Sequence, residues 1–138
     1  VTPETALLAA GGLHLGFQAV VTVVVYPALA SARAGDWRAV HAAHSRRISL
    51  VVGPLYLAVA AACLWVLVAG PHSPAALLSV GGHALAAGVT AAFAAPSHGR
   101  LGRAGSDGPD PAEIVRLLRA DRVRLLATVV AFAAALTV

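Results

Sequence analysis

The sequence predicts an all-α integral membrane protein. The expected architecture is a four-transmembrane-helix up-down bundle with both termini outside, in a single domain over residues 1–138. Three observations predict it. Of the 138 residues, 59% are hydrophobic and 12% charged, about half the charged share of a soluble domain. Apolar runs stand at Ala6 to Ala30, Ile48 to Ala69, Ala75 to Ala95 and Leu125 to Val138. All ten basic residues are arginines, confined to Ser31–Arg47 and Ser97–Arg124.

The elements follow in order, with helices expected over residues 3–30, 37–69, 74–95 and 111–138. Thr2-Pro3, Ser73-Pro74 and Asp110-Pro111 each set an N-cap residue before a proline at the first helical position. Asp110 and Glu113 also have capping-box spacing. Gly35-Asp36 marks the start of the second helix at Trp37, and Pro54 inside it predicts a kink. Pro27 and Pro96 predict a bend or stop near the inner ends of the first and third helices. The fourth apolar run is shorter than the roughly 20 residues needed to cross hydrocarbon, so either that helix borrows from Arg119–Arg124 or the chain continues beyond Val138. The glycine-rich Gly102–Pro109 reads as a flexible connection.

Arginine placement sets the orientation. The positive-inside rule puts both arginine-bearing segments in the cytoplasm and Gly70–Ser73 outside, which implies a multi-pass protein of the bacterial inner (cytoplasmic) membrane. The net charge of +4 reads as orientation in a lipid bilayer, with no nucleic acid as partner. The first apolar run has no basic n-region and continues to Ala30, so it reads as a helix rather than a signal peptide. A 2+2 helix repeat is suggested by Ala6-Leu7-Leu8-Ala9-Ala10-Gly11-Gly12 and Ala76-Leu77-Leu78-Ser79-Val80-Gly81-Gly82. Gly11, Gly12, Gly16, Gly81, Gly82 and Gly88 read as close-packing positions. They equally suit a homo-oligomer or a subunit of a larger membrane complex.

Trp37, His41, His44 and Ile48 follow at helical spacing and share one face, with Arg38, Ser45 and Arg46 away from it. His98, after Pro96, falls at the same membrane level. His41, His44 and His98 are therefore candidate ligands for a transition metal (copper, iron or zinc), or solvated interfacial histidines. Asp121, Arg122 and Arg124 are drawn to the membrane boundary, where ionisable groups face the interior or pair with one another. In the catalytic reading, His41 and His44 act as acid and base, Asp121 orients an imidazole, and Arg122 (or Arg124) holds an oxyanion.

A second constellation lies nearer the outside. His14 and His83 sit at similar depths on the first and third helices, flanked by glycines, as bis-histidine ligands of haem b would. The single cysteine, Cys63, excludes an intrachain disulfide and a cysteine-cluster metal site. No nucleophile elbow, phosphate-binding loop or Cys-Xaa-Xaa-Cys is present.

Tyr26-Pro27-Ala28-Leu29, His41-Ala-Ala-His44-Ser-Arg-Arg, Pro96-Ser-His98-Gly-Arg-Leu and Arg119-Ala-Asp-Arg122-Val-Arg124 together resemble a group of small, uncharacterised four-helix integral membrane proteins of high-GC actinobacteria. More distantly, the layout is similar to the anthrone-oxygenase-like membrane family. The chain departs from the near group where Thr22 and Val25 replace an expected Gln or His before Tyr26-Pro27. It departs again where Asp121-Arg122-Val123-Arg124 replaces Asn-Trp-Xaa-Arg-Thr. The resemblance implies oxidation of a hydrophobic aromatic substrate at the membrane. Three functions are thus expected: an oxygenase-like enzyme with a cytoplasm-facing His/Arg pocket, a bis-histidine haem b electron carrier, or a non-catalytic accessory subunit.

Overall fold

The computed structural model describes residues 1–104 and 108–138. The centre of the expected flexible connection, residues 105–107, lies outside the described residues. The chain folds into four helical rods: α1 (Pro3–Ala30), α2 (Trp37–Ala69), α3 (Pro74–Leu101) and α4 (Pro111–Ala135). A short 3₁₀ turn, Ala34–Asp36, leads into α2. Among the described residues, three stretches, Pro3–Ala30, Ala34–Ala69 and Pro74–Leu101, are long and apolar enough to cross a membrane. The first half of α4 carries six charged residues, Glu113 to Arg124, and α4 is not among those three.

The expected caps close the helix starts. The Thr2 hydroxyl accepts from Thr5 N–H and Thr5 answers with its own side chain, completing a capping box on α1. Ser73 accepts from Ala76 N–H, and Asp110 from Ala112 N–H at 2.9 Å. The Asp110–Glu113 box is half formed, because the Glu113 carboxylate pairs with Arg100 (2.9 Å) and Arg116 instead. Two guanidinium groups outcompete one backbone N–H. That pairing ties the start of α4 to the end of α3.

Pro27, Pro54 and Pro96 stand within helix that continues past them. Pro96 does not stop α3, which runs on to Leu101. Just upstream, Thr90–Ala94 forms a π turn, and Val21–Val25 forms another before Pro27. A proline removes one backbone donor and crowds the carbonyl four residues back; widening the preceding turn relieves the crowding without ending the helix. The two π turns stand 69 residues apart, as do Pro27 and Pro96. Pro54 lies within continuous α-helix.

Packing is inside out by the standard of a soluble protein. Leu50 (77%), Leu57 (73%) and Val23 (71%) are exposed, whereas His14, Gln18 and Thr128 are wholly buried. Water would oppose that arrangement by its preference for burying apolar surface; lipid favours it, and intramembrane polar groups then face the protein interior. α3 packs most extensively on α4, α1 lies against both α2 and α4, and α2 meets α3 only sparsely. Gly82 explains the closest seam. A Cβ there would stand 2.8 Å from both the Ala127 carbonyl oxygen and the Ala131 Cβ, so the α3 backbone lies directly against α4. Gly11 and Gly12 give room to His83 and Phe132, while Gly16, Gly81 and Gly88 face open space.

Candidate functional site

The site begins at the first turns of α2. Trp37 is 1% exposed, its indole N–H donates to the Leu101 carbonyl at 3.0 Å, and its ring stacks on His41 at 5.3 Å. That anchor fixes the rotation of α2 so that the Trp37–His41–His44–Ile48 face turns inward. His41 is buried, and its Nε2 lies 3.2 Å from His98 Nδ1. His98 Nε2 in turn lies 3.2 Å from the Tyr26 hydroxyl. His44 stacks on His98 with ring centroids 5.5 Å apart.

Arg124 can only donate, and its guanidinium approaches the Tyr26 oxygen at 3.2 Å. Tyr26 therefore accepts from Arg124; the direction of the Tyr26–His98 and His98–His41 bonds follows from the imidazole tautomers. The result is a bonded run, Arg124 to Tyr26 to His98 to His41. The Arg124 charge is balanced within the bundle: its guanidinium meets Asp121 at 2.8 Å, and Asp121 also accepts from Gln18 at 2.6 Å. On the other side, Arg124 reaches Thr90 Oγ1 at 3.4 Å. Thr90 donates to the Ala86 carbonyl, which leaves its oxygen to accept from Tyr56 at 2.8 Å.

These groups surround a cavity of about 240 Å³. Its polar lining comes from Tyr26, His44, Tyr56, Thr90, His98 and Arg124, and its apolar walls from Phe17, Val21, Ile48 and Val52. All four helices contribute. Ser45 and Ser49 also line it, so Ser45 belongs to the site rather than to the solvated face. Within the cavity wall, His44 Nε2 and Arg124 Nε have no hydrogen-bond partner among the described residues. Pockets for small organic ligands run from about 300 Å³ upward, so this one suits a small occupant, of one or two fused rings.

His41, His44 and His98 are brought together as expected, joined by a hydrogen bond and by stacking. Among the described residues, however, no group of three or more His, Cys, Asp or Glu side chains is arranged to hold a metal ion. Asp121 is 1% exposed and sits beside Arg124. Arg122 is exposed on the outer face, which corrects its assignment to the pocket. Two residues of α-helix separate positions by about 200°, so Arg122 and Arg124 cannot both face in. The buried stripe Leu117, Ala120–Asp121, Arg124, Ala127–Thr128, Ala131 selects Arg124. That spacing was readable in the sequence. Tyr26, Tyr56, Thr90 and Gln18 were not expected in the site; Tyr26 stood out only through the Tyr26-Pro27 motif.

His14 and His83 also meet, on the outer side of Tyr56. Their Nδ1 atoms are 3.0 Å apart and hydrogen-bonded, with rings stacked at 5.2 Å. Haem b does not fit here. Metal–imidazole bonds are about 2 Å long, so two axial imidazoles stand roughly 4 Å apart across a porphyrin. The flanking glycine space is taken by the side chains themselves: a Cβ on Gly11 would meet His83 Nε2 at 3.1 Å, and one on Gly12 would meet Phe132 at 3.3 Å.

At the cytoplasmic end expected from the arginines, Glu113 is held below the usual carboxylate range. The Arg100 hydrogen bond is the largest cause, opposed by burial, with Ser97 and Arg116 adding to it. Comparison of the chain with family models, curated proteins and solved structures finds no match.

Proposed function

We propose that the protein is a multi-pass protein of the bacterial inner membrane that binds a small, membrane-soluble aromatic compound bearing an acidic oxygen. The observation that carries this reading is the cavity lining: Arg124, His44, Tyr26 and Tyr56 border an apolar chamber, and among the described residues His44 Nε2 has no hydrogen-bond partner. Such a mixture fixes a polar headgroup while apolar walls hold a ring. The occupant reaches the chamber from lipid along the sparse α2–α3 seam. The arginine-bearing ends face the cytoplasm, and we read α4 as the fourth span, with Asp121 and Arg124 covered by the bundle and the exposed Arg116, Arg119 and Arg122 toward its cytoplasmic end.

The chemistry that suits these residues is proton abstraction. His98 has both nitrogens engaged, so His44 Nε2 is the base that touches the ligand. Arg124 stabilises the oxyanion as it forms, and the Tyr26–His98–His41 run orders the proton traffic beside it. The distant resemblance to anthrone-oxygenase-like proteins favours dioxygen as the co-reactant. In that step His44 takes a proton from an activated CH₂, the electron-rich carbon adds dioxygen, and loss of water leaves C=O. A metal at the three histidines is an alternative that elemental analysis of the purified protein decides.

The test is a fluorescence titration of detergent-purified protein with 1-naphthol. Saturable binding is expected, weakened about tenfold in His44→Leu, since a hydrogen bond to a charged group is worth about 1.5 kcal/mol or more. His44 has no protein hydrogen bond to lose, so the variant keeps the fold. Equal binding by wild type and variant contradicts the assignment.

A further inference from the structure

The α3–α4 seam opens outward near the end of α3, away from the chamber. A groove of about 540 Å³ lies there, and its lining includes Val89, Phe93, Arg100, Arg116, Arg119 and Val123. α3 and α4 run antiparallel, since Arg100 meets Glu113 while Gly82 meets Ala127. The three arginines therefore gather at one end of the groove and the apolar side chains at the other. Val89 to Arg100 is eleven steps of about 1.5 Å, roughly 16 Å, half of the roughly 30 Å of hydrocarbon. The groove has the depth of one leaflet, charged at the headgroup level and apolar beneath it.

The charged end is organised in advance. Buried Glu113 holds both Arg100, at 2.9 Å, and Arg116. Arg100 also donates to Ser97 Oγ at 3.1 Å. Side chains fixed in this way lose less freedom when an anion arrives. Arg119, one turn along α4 from Arg116, is exposed and pairs with no carboxylate among the described residues. Three arginines against one carboxylate leave two positive charges unbalanced at the groove. At the apolar end, Phe93 is 61% exposed and Val123 46%. Val123 also lines the next furrow outward along the same seam, with Leu85 and Leu126. A hydrocarbon chain that follows Phe93 thus stays in contact with protein toward the middle of the bilayer.

We propose that this groove holds one anionic glycerophospholipid, with its phosphate on Arg100, Arg116 and Arg119 and one acyl chain along Phe93 and Val123. Guanidinium forks match phosphate oxygens in geometry as well as charge. The apolar extension beneath the arginines selects a lipid over a soluble anion. General attraction to an anionic leaflet would act equally on exposed Arg38 at the start of α2, whereas a built groove distinguishes the two ends. The inference rests on the membrane-spanning reading but needs no ligand in the chamber.

Native mass spectrometry of the full chain in mild detergent tests it. The probes are palmitoyl-oleoyl phosphatidylglycerol, phosphatidylcholine with the same chains, and glycerol 3-phosphate. One phosphatidylglycerol should be retained, about tenfold or more tightly than phosphatidylcholine, and glycerol 3-phosphate should not be retained. Arg119→Gln should weaken phosphatidylglycerol about fivefold, the worth of one basic side chain at an anionic surface, and Arg38→Gln should leave it unchanged. Arg119 has no ion pair to lose, so its variant keeps the fold, which circular dichroism checks. Equal retention of the two phospholipids overturns the proposal, as does equal weakening in Arg38→Gln and Arg119→Gln. Glycerol 3-phosphate held as tightly as phosphatidylglycerol marks a soluble-anion site and overturns the lipid assignment. Naphthol titration of the same preparations reads the chamber separately, so either reading can fail without the other.

Discussion

Replacing Asp121 should destabilise the bundle more than any other single change within its polar interior. Its carboxylate is 1% exposed and accepts from Arg124 at 2.8 Å and Gln18 at 2.6 Å. Hydrogen bonds to charged groups contribute about 1.5–3 kcal/mol each, so two of them account for roughly 3–6 kcal/mol. Breaking a buried ion pair by removing one partner costs about 3–5 kcal/mol, because a buried charge is left uncompensated. The two estimates agree near 4 kcal/mol. Asp121→Ala should therefore shift the unfolding equilibrium by roughly a thousandfold. Mixed-detergent unfolding followed by circular dichroism measures it. The double variant Asp121→Asn, Arg124→Gln should recover much of the loss, since neither side chain is then a stranded charge. A loss below about 1 kcal/mol in Asp121→Ala refutes the buried pair. Losses that simply add in the double variant refute the coupling.

Three further outcomes follow from particular contacts. Gly82→Ala should lower stability by about 1–3 kcal/mol, because its Cβ meets the Ala127 carbonyl oxygen at 2.8 Å, whereas Gly81→Ala next door meets nothing; paired unfolding curves show whether they differ. Glu113 has its carboxyl held low by Arg100, so its stabilising contribution is complete above the unfolded carboxylate value near pH 4.3. That contribution fades as pH falls through the lower folded value, and Glu113→Gln should flatten this acid limb in pH-dependent unfolding. Tyr26→Phe removes the link between Arg124 and His98. It should weaken 1-naphthol binding several-fold while leaving the helix content seen by circular dichroism unchanged.

Local signals carried most of the fold. The Ser/Thr/Asp-Pro starts are written in adjacent residues, and each became a cap. The inward face of α2 was likewise legible, because Trp37, His41 and His44 recur at helical spacing over two turns. The π turns were not legible, since they depend on how α1 and α3 absorb Pro27 and Pro96 against their neighbours. On α4 the apolar spacing was there to be read, but depth was used in its place. Membrane depth alone placed Asp121, Arg122 and Arg124 together at the boundary, and only the helix rotation separates Arg124, inside, from Arg122, outside. Tyr26 stayed hidden for a different reason: its partners, His98 and Arg124, are 72 and 98 residues away. The haem expectation came from matching depth and adjacent glycines, and failed because depth does not report how near two rings approach.

The central claim is that the chamber ringed by Arg124, Tyr26, His44 and His98 holds a small aromatic ligand. Crystals of the protein soaked with 4-bromo-1-naphthol test it through the anomalous signal of bromine. The account predicts one bromine peak inside the 240 Å³ cavity, with the naphthol oxygen within hydrogen-bonding reach of Arg124 or His44. A cavity without bromine, with peaks only on the outer lipid-facing surface, would contradict it.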